Sequence, residues 1–344
     1  MREGWEYKKL NEVCDKGSSN IVINKLIDNN GDYPLYGASG LIKDIDFYHQ
    51  DKRYIGIVKD GAGVGRVNIY PAFSSLVGTM QYIFPKEGYS LDFIKYFLIK
   101  LDLSHCVSGA TIPHIYFKDY GKELIPTPSL DTQLAIVSEL DKINELIRLK
   151  KEQLKDFDNL AQSLFYEMFG DPVENEKGWE VKKLGEVYKM KSGDSLSTKS
   201  FEEGDIPVYG GNGISGYHNK YNKDGSYIII GRVGVYCGNV RIVKGRFWLT
   251  DNAFELLYDN SSQNEVFVCS LLTHLNLRQY ANAAAQPVIS NNTLKHVSIP
   301  LPPLPLQHLF AHRIDQIEHQ KAEVQKAITD LETLLASRMQ YWFE

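Results

Sequence analysis

Nowhere in the 344 residues is there an apolar run near the roughly 18 residues that a membrane-spanning helix needs. The opening residues Met1, Arg2, Glu3, Gly4 and Trp5 do not form the basic-then-apolar segment of an export signal. Cysteine is scarce, and Cys14, Cys106, Cys237 and Cys269 stand far apart without a CxxC pair. Isolated thiols in a reducing compartment are therefore expected, with neither a disulfide framework nor a zinc site. Together these absences point to the cytoplasm.

Catalytic motifs are missing as well. The nine histidines contain no H-E-x-x-H and no metal-ligand spacing, and His105 and His114 read as polar contacts in one loop region. The run Gly61-Ala62-Gly63-Val64-Gly65-Arg66 is neither G-x-G-x-x-G nor G-x-x-x-x-G-K-[ST]. It joins two expected strands, which makes it a hairpin turn and not a phosphate cradle. Asp171-Pro172-Val173-Glu174 lacks the second proline and the aromatic of an amino-methyltransferase loop, and reads as a helix stop.

One absence is uneven. The formal net charge of −5 argues at first against a nucleic-acid partner. Residues 1–130 nevertheless balance at 15 Lys and Arg against 15 Asp and Glu, and residues 175–304 carry 14 against 12. The acidity sits in 131–174, with 5 against 10, and in 305–344, with 4 against 6. Outside those two segments the chain is neutral to slightly basic, which leaves nucleic-acid binding open.

What is present is a repeat. Gly4-Trp5-Glu6-Tyr7-Lys8-Lys9-Leu10 recurs as Gly178-Trp179-Glu180-Val181-Lys182-Lys183-Leu184, at an offset of 174. Pro34, Tyr36, Gly37 and Gly40 answer to Pro207, Tyr209, Gly210 and Gly213 at an offset of 173, as Gly61 and Gly65 answer to Gly234 and Gly238. At 174 again, Ile125-Pro126 matches Ile299-Pro300, Gln133 matches Gln307, and Phe169 matches Phe343. A register held along the whole chain with one single-residue slip indicates gene duplication, and the period is far too long for a solenoid.

Each copy ends in an acidic stretch with apolar residues at alternating steps of four and three. The first series is Ile136, Leu140, Ile143, Ile147, Leu154 and Phe157; the second is Phe310, Ile314, Ile317, Val324, Ile328 and Leu331. Lys150 and Lys321 interrupt the two stripes, and are expected to snorkel outward more than to fix register. A heptad-spaced stripe without Gly or Pro over 131–169 and 306–344 predicts two long helices paired on each other as a coiled coil. Because the first helix must deliver the chain to the second copy, an antiparallel pair with pseudo-two-fold symmetry is expected.

The remaining segments read as β-rich with a few helices. Strands are expected near 54–58, 67–70, 227–230 and 240–243, and helices near 91–101 and 265–280. The fold class is therefore α+β: two β-rich globular domains joined by two long antiparallel helices. The expected limits are 1–130 for the first domain, 131–170 for the central helix, 171–304 for the second domain and 305–344 for the terminal helix.

This order of marks resembles the specificity subunits of type I restriction-modification systems. The resemblance rests on the repeated Gly-Trp-Glu opening and on the Tyr-Gly…Gly segments. It rests also on Trp248-Leu249-Thr250-Asp251-Asn252-Ala253, the Ile-Pro-x-Pro…Gln before each helix, and Met168-Phe169-Gly170-Asp171-Pro172. Two departures stand out: Thr132 and Leu306 precede the glutamines where many relatives carry Glu, and the first copy has only Ser74-Ser75-Leu76-Val77-Gly78-Thr79 near the Trp248 segment.

The resemblance implies a non-catalytic DNA-binding subunit whose two target-recognition domains each read half of a bipartite, asymmetric site on double-stranded DNA. It implies helices that set the gap and dock two methylation subunits, with restriction subunits completing a complex that acts against foreign DNA. S-adenosylmethionine would belong to the methylation subunits, leaving this chain without a cofactor or metal of its own. Arg66, Lys59, Arg232 and Arg241 suit guanine, and Gln286, Asn291 and Asn292 suit adenine. Lys16, Lys189, Lys191 and Lys199 suit phosphates. Two other classes remain open from the residues alone: a scaffold bearing two ligand-binding β-modules without DNA, and an enzyme whose site is not legible.

Overall fold

The computed structural model describes residues 5–109, 111–282 and 287–344. Two compact units emerge: Met1–Lys151 together with Lys326–Glu344, and Glu152–Gln325. The division passes through both long helices, so each unit contains part of each.

In the first unit, strand Glu6–Lys9 pairs antiparallel with Leu124–Thr127, with Tyr7 opposite Pro126. A four-stranded antiparallel sheet runs in the order Cys14–Ser18, Met80–Pro85, Tyr54–Val58, Val67–Tyr70. A second sheet of three strands has Tyr33–Gly37 at its centre, antiparallel to Gly40–Ile45 and parallel to Ser75–Leu76. The helix Leu91–Leu101 is started by Ser90, whose hydroxyl accepts from the amide of Phe93. It buries Phe93, Ile94, Phe97 and Leu98 against the four-stranded sheet's core residues Ile55, Ile57 and Ile83.

The second unit repeats this plan with one fusion. Glu180–Lys183 pairs with Ser298–Leu301, Val181 opposite Pro300, in the register of the first copy. The remaining strands form a single six-stranded sheet in the order Lys189–Ser192, Ala253–Leu257, Lys223–Gly231, Val240–Leu249, Ile206–Gly210, Gly213–His218. The single long strand Val240–Leu249 does alone what Val67–Tyr70 and Ser75–Leu76 do separately in the first unit. The cause is local. Pro71 follows Tyr70 where the second copy has Lys244, and a proline cannot donate to the ladder, so the first copy's strand stops there. The parallel pairings match: Tyr36 faces Leu76, and Tyr209 faces Leu249. Ser75-Leu76-Val77-Gly78-Thr79-Met80 thus occupies the place of the Trp248–Ala253 segment despite its unlike sequence, one residue on from the Ser74–Thr79 stretch.

The helix expected near 265–280 is shorter. It runs over Glu265–His274, capped by the Asn264 side chain, and Asn276 in the left-handed region (φ 46°) turns the chain into the 3-10 turn Leu277–Tyr280.

The long helices span Leu130–Phe169 and Leu304–Phe343, 40 residues each. Inside each unit their segments run antiparallel. In the first, Arg338 forms a bidentate pair with Glu139, and Lys151 Nζ lies 2.8 Å from Glu332. In the second, Lys321 Nζ lies 2.9 Å from both Asp158 and Glu318, while Phe310 meets Phe165 and Phe169 edge-on. Ile136, Leu140, Ile143, Ile147, Phe310, Ile317, Val324 and Ile328 are buried, and Leu154, Phe157, Ile314 and Leu331 are half-buried. Lys321 lays its stem along this stripe and delivers its ammonium to two acids. Burial opposes its charge, but the hydrogen bonds to Asp158 and Glu318 outweigh it and the pKa rises.

The helix ends are part of the domain cores. Ile136, Leu140, Met339 and Phe343 pack into the first core with Leu10, Phe93 and Ile125. Leu164, Phe165, Phe169 and Phe310 pack into the second with Leu184, Phe267 and Ile299. The paired glutamines lock each helix start to its domain. Buried Gln133 accepts from the Ser90 amide at 2.9 Å and donates to the Pro128 carbonyl at 2.9 Å. Gln307 does the same with Asn264 (2.9 Å) and Pro302 (2.8 Å). All four cysteines are free, and among the described residues no helix is long and apolar enough to cross a membrane.

Candidate nucleic-acid interface

The Gly61–Gly65 stretch is a hairpin turn, built twice. Gly65 N donates to Val58 O (2.8 Å) and Val64 N to Gly61 O (3.2 Å); in the second unit Gly238 N donates to Gly231 O (2.8 Å) and Cys237 N to Gly234 O (3.0 Å). Gly61, Gly65, Gly234 and Gly238 all have φ between 85° and 87°, a backbone that side-chain-bearing residues rarely adopt.

Four basic residues flank these turns. Exposed Arg66 donates to the Ala38 carbonyl at 2.8 Å, and Lys59 Nζ lies 3.6 Å from Asp60. Arg232 is held more firmly: its Nη1 donates to Ser192 Oγ and to Asp251 O, each at 3.0 Å, and its guanidinium lies 4.6 Å over the Phe254 ring. Arg232 Nε is buried and, among the described residues, has no hydrogen-bond partner. Arg241 packs on the Gly213 backbone, where an added Cβ would lie 2.6 Å from its Nη1.

The structure places the other expected contacts as follows. Lys16 is exposed on Cys14–Ser18. Lys189 and Lys191 are exposed on one face of Lys189–Ser192, and Lys199 is exposed in the turn Thr198–Ser200. Asn291 and Asn292 are exposed in the single turn Asn291–Leu294, where Asn292 accepts from Lys295 at 3.1 Å. Gln286 lies outside the described residues.

In the second unit several of these residues border one cleft. It encloses 650 Å³ and is lined by Thr198, the 210–215 segment, Val233, Gly234, Thr250 and Asn252. Lys199 follows Thr198 in sequence, Arg232 precedes Val233, and Arg241 rests on Gly213. Asn291, Asn292, Lys189 and Lys191 do not line it. In the first unit a hollow of 380 Å³ lies against Val77, Gly78 and Thr79, the counterparts of 250–252, and is otherwise lined by Ile21, Val22, Ile23 and Asn24; the counterparts of 210–215 do not line it. Thr250 and Ser215 escape a reading that looks for charge and amides in loops, whereas Asn212 and Asn252 are amides in turns that it passes over. The signal that finds them is the register between the two copies, which sets each beside its counterpart.

His105 and His114 do make polar contacts: His105 with the Asp102 carbonyl (2.9 Å) and Glu123 (3.2 Å), His114 with the Ile112 carbonyl (3.2 Å). Folding also brings His105, Cys106 and Glu123 together, with potential ligand atoms within 4.8 Å of one another, a grouping that spacing did not reveal. Here the Asp102 carbonyl and Glu123 raise the His105 pKa, and burial raises that of Cys106.

Two β-rich units, each anchored to antiparallel helix segments and bearing basic turns beside a hollow, define a duplicated recognition protein. The model of the type I restriction modification DNA specificity domain matches twice, over residues 2–156 and 176–333, and the chain belongs to that family. It is 31% identical over 256 residues to the EcoprrI specificity subunit of Escherichia coli, covering 68% of this chain and 63% of that one. It is also 31% identical over 147 residues to the MjaIX specificity subunit of Methanocaldococcus jannaschii, covering 36% and 34%. The matched stretches thus span less than two thirds of these relatives. In fold, the chain is similar to the S subunit of a type I system from M. genitalium (TM-score 0.61, 18% identity, 100% and 98% covered). A chain solved in work on complex assembly and conformational transition of the type I R-M system gives a TM-score of 0.63 at 18% identity, with 99% and 97% covered.

Proposed function

We propose that this chain is the non-catalytic DNA-specificity subunit of a type I restriction-modification complex. The recognition domains are residues 1–130 and 171–304, each reading one half of a bipartite, asymmetric site on double-stranded DNA. The long helices, 131–170 and 305–344, set the gap between half-sites and dock two methylation subunits, which carry S-adenosylmethionine. Restriction subunits complete the assembly, in the cytoplasm. The observation that carries this reading is the double match of a DNA specificity domain to two units of the same strand register but different hollow linings. Net negative charge carried by the two helical segments supports it, because protein-docking segments tolerate negative charge that a DNA face does not.

The test is duplex-DNA binding by the chain assembled with its methylation subunit, measured across salt. Phosphate contacts release counterions, so affinity should fall steeply as salt rises. Absent or salt-insensitive binding by the assembled complex would falsify the reading and favour a scaffold for other ligands.

A further inference from the structure

Resting on the DNA-reading function proposed above, we infer that Thr250 and Ser215 are the base-reading residues of the second unit. Their hydroxyls form the floor of its glycine-walled cleft and take the edge of one base in that unit's half-site.

Thr250 is 3% exposed, and its Oγ1 is buried with no hydrogen-bond partner among the described residues. Its backbone is fully used, since Thr250 N donates to Tyr209 O (2.9 Å) and Thr250 O accepts from Ala253 N (3.1 Å). The side chain is therefore pinned, and only the hydroxyl is left over. Burying a hydroxyl without a partner costs stability that valine of the same shape would not. A group held in that state is explained by a ligand that completes it. Ser215 Oγ donates to Val208 O at 3.1 Å, which leaves its lone pairs to accept. The two hydroxyls converge beside Gly210: a Cβ there would stand 3.6 Å from Thr250 Oγ1 and 3.9 Å from Ser215 Oγ. One oxygen can donate and the other can accept, which matches the edge of a base, and Ser and Thr hydroxyls pair with either base type.

The first unit supplies the contrast. At the equivalent Gly37, a Cβ would stand 2.7 Å from Ile42 Cδ1 and 3.5 Å from Val77 Cγ2. Ile42 and Val77 are the counterparts of Ser215 and Thr250 at the offset of 173. Both hydroxyls are thus replaced by aliphatic carbon, one of which fills the space. The ligand class follows from the rim: no acidic side chain is among the described residues lining the second cleft, and Arg241 packs on its wall residue Gly213. A cleft of 650 Å³ with glycine walls and basic neighbours suits a nucleobase on an anionic backbone.

The experiment uses the chain assembled with its methylation subunits and a panel of duplexes in which each position of both half-sites is varied singly. Thr250→Val should lower discrimination at one position of the second unit's half-site by about 10-fold or more, as loss of a base contact does. Ser215→Ala should act at the same position, and the first half-site should be read as before. Because Thr250→Val removes an unpaired group, its melting temperature should be unchanged or raised. The inference is overturned if both variants keep full discrimination, if they weaken all duplexes equally, or if Thr250→Val melts markedly lower. A wild-type complex that binds no duplex overturns the parent function and this inference with it. One that binds and discriminates, while the variants do likewise, overturns this inference alone.

Discussion

The two units are built from the same instructions up to the hollow, and there they part. Leu10 and Leu184, Ile125 and Ile299, and Gln133 and Gln307 are buried in both, and the pairs Tyr7–Pro126 and Val181–Pro300 hold one register. Val77 and Ile42 stand as counterparts to Thr250 and Ser215, and of the two only Val77 lines the first unit's 380 Å³ hollow, against 650 Å³ for the cleft that Thr250 and Ser215 line. Scaffold positions stay alike because each buried residue touches many others and a change creates a cavity or an unpaired polar group. Ser215 and Ile42 are exposed and carry no such constraint, while Thr250 and Val77 are buried and exchange a hydroxyl for a methyl of the same shape. A protein that must read two different half-sites with one duplicated fold would vary at such positions, and this chain does.

The comparison can be broken at several depths. The largest effect should come from the shared aromatic at the end of each helix. Phe169→Ala and Phe343→Ala should each cost about 3–5 kcal/mol, as expected for truncating a buried phenylalanine. Hydrogen exchange should show the loss of protection in the second unit for Phe169 and in the first for Phe343, since each side chain packs into that core. Equal loss in both units would show that the cores are not separate.

Next come the glutamines. Gln133→Ala leaves the Ser90 amide and the Pro128 carbonyl without their partner, and Gln307→Ala strands Asn264 and Pro302. Each should cost about 1–3 kcal/mol, read as a lower midpoint in urea. Similar values for both would sharpen the claim that the scaffold is shared.

The smallest effect belongs to a contact that the first unit makes and the second copy cannot. Hydrogen bonds from Arg338 and Trp342 hold the Glu139 carboxyl below its ordinary value of 4.5. At the equivalent positions the second copy has Arg313 and Leu164, which cannot form this pair. A depressed folded-state pKa stabilises above the unfolded value and loses that contribution as pH falls through the folded one. Melting temperature should therefore drop less steeply from pH 6 to pH 3 in Glu139→Gln than in the parent, and coincident curves would count against the pair.

Much of this was legible in the residues. The duplication showed because scaffold residues recur unchanged, and the helices showed because a heptad-spaced stripe persists along the length of each. The split strand was also written, in Pro71 against Lys244, but a single proline acquires that meaning only once the partner strand is known. The floor was not legible: Val for Thr is an ordinary exchange until packing places the hydroxyl in a cleft without a partner. The approach of Glu123 to His105 and Cys106 stayed hidden for a similar reason, since separated segments meet only in the fold.

The central claim, that two related units read two different half-sites, is met most directly by exchanging residues 1–130 for the same region of another family member. Adenine methylation by the assembled complex is then mapped over a genome's worth of sequence. The account predicts motifs in which one half-site changes while the other half-site and the gap are retained. Motifs altered in both halves, or unaltered in either, would contradict it.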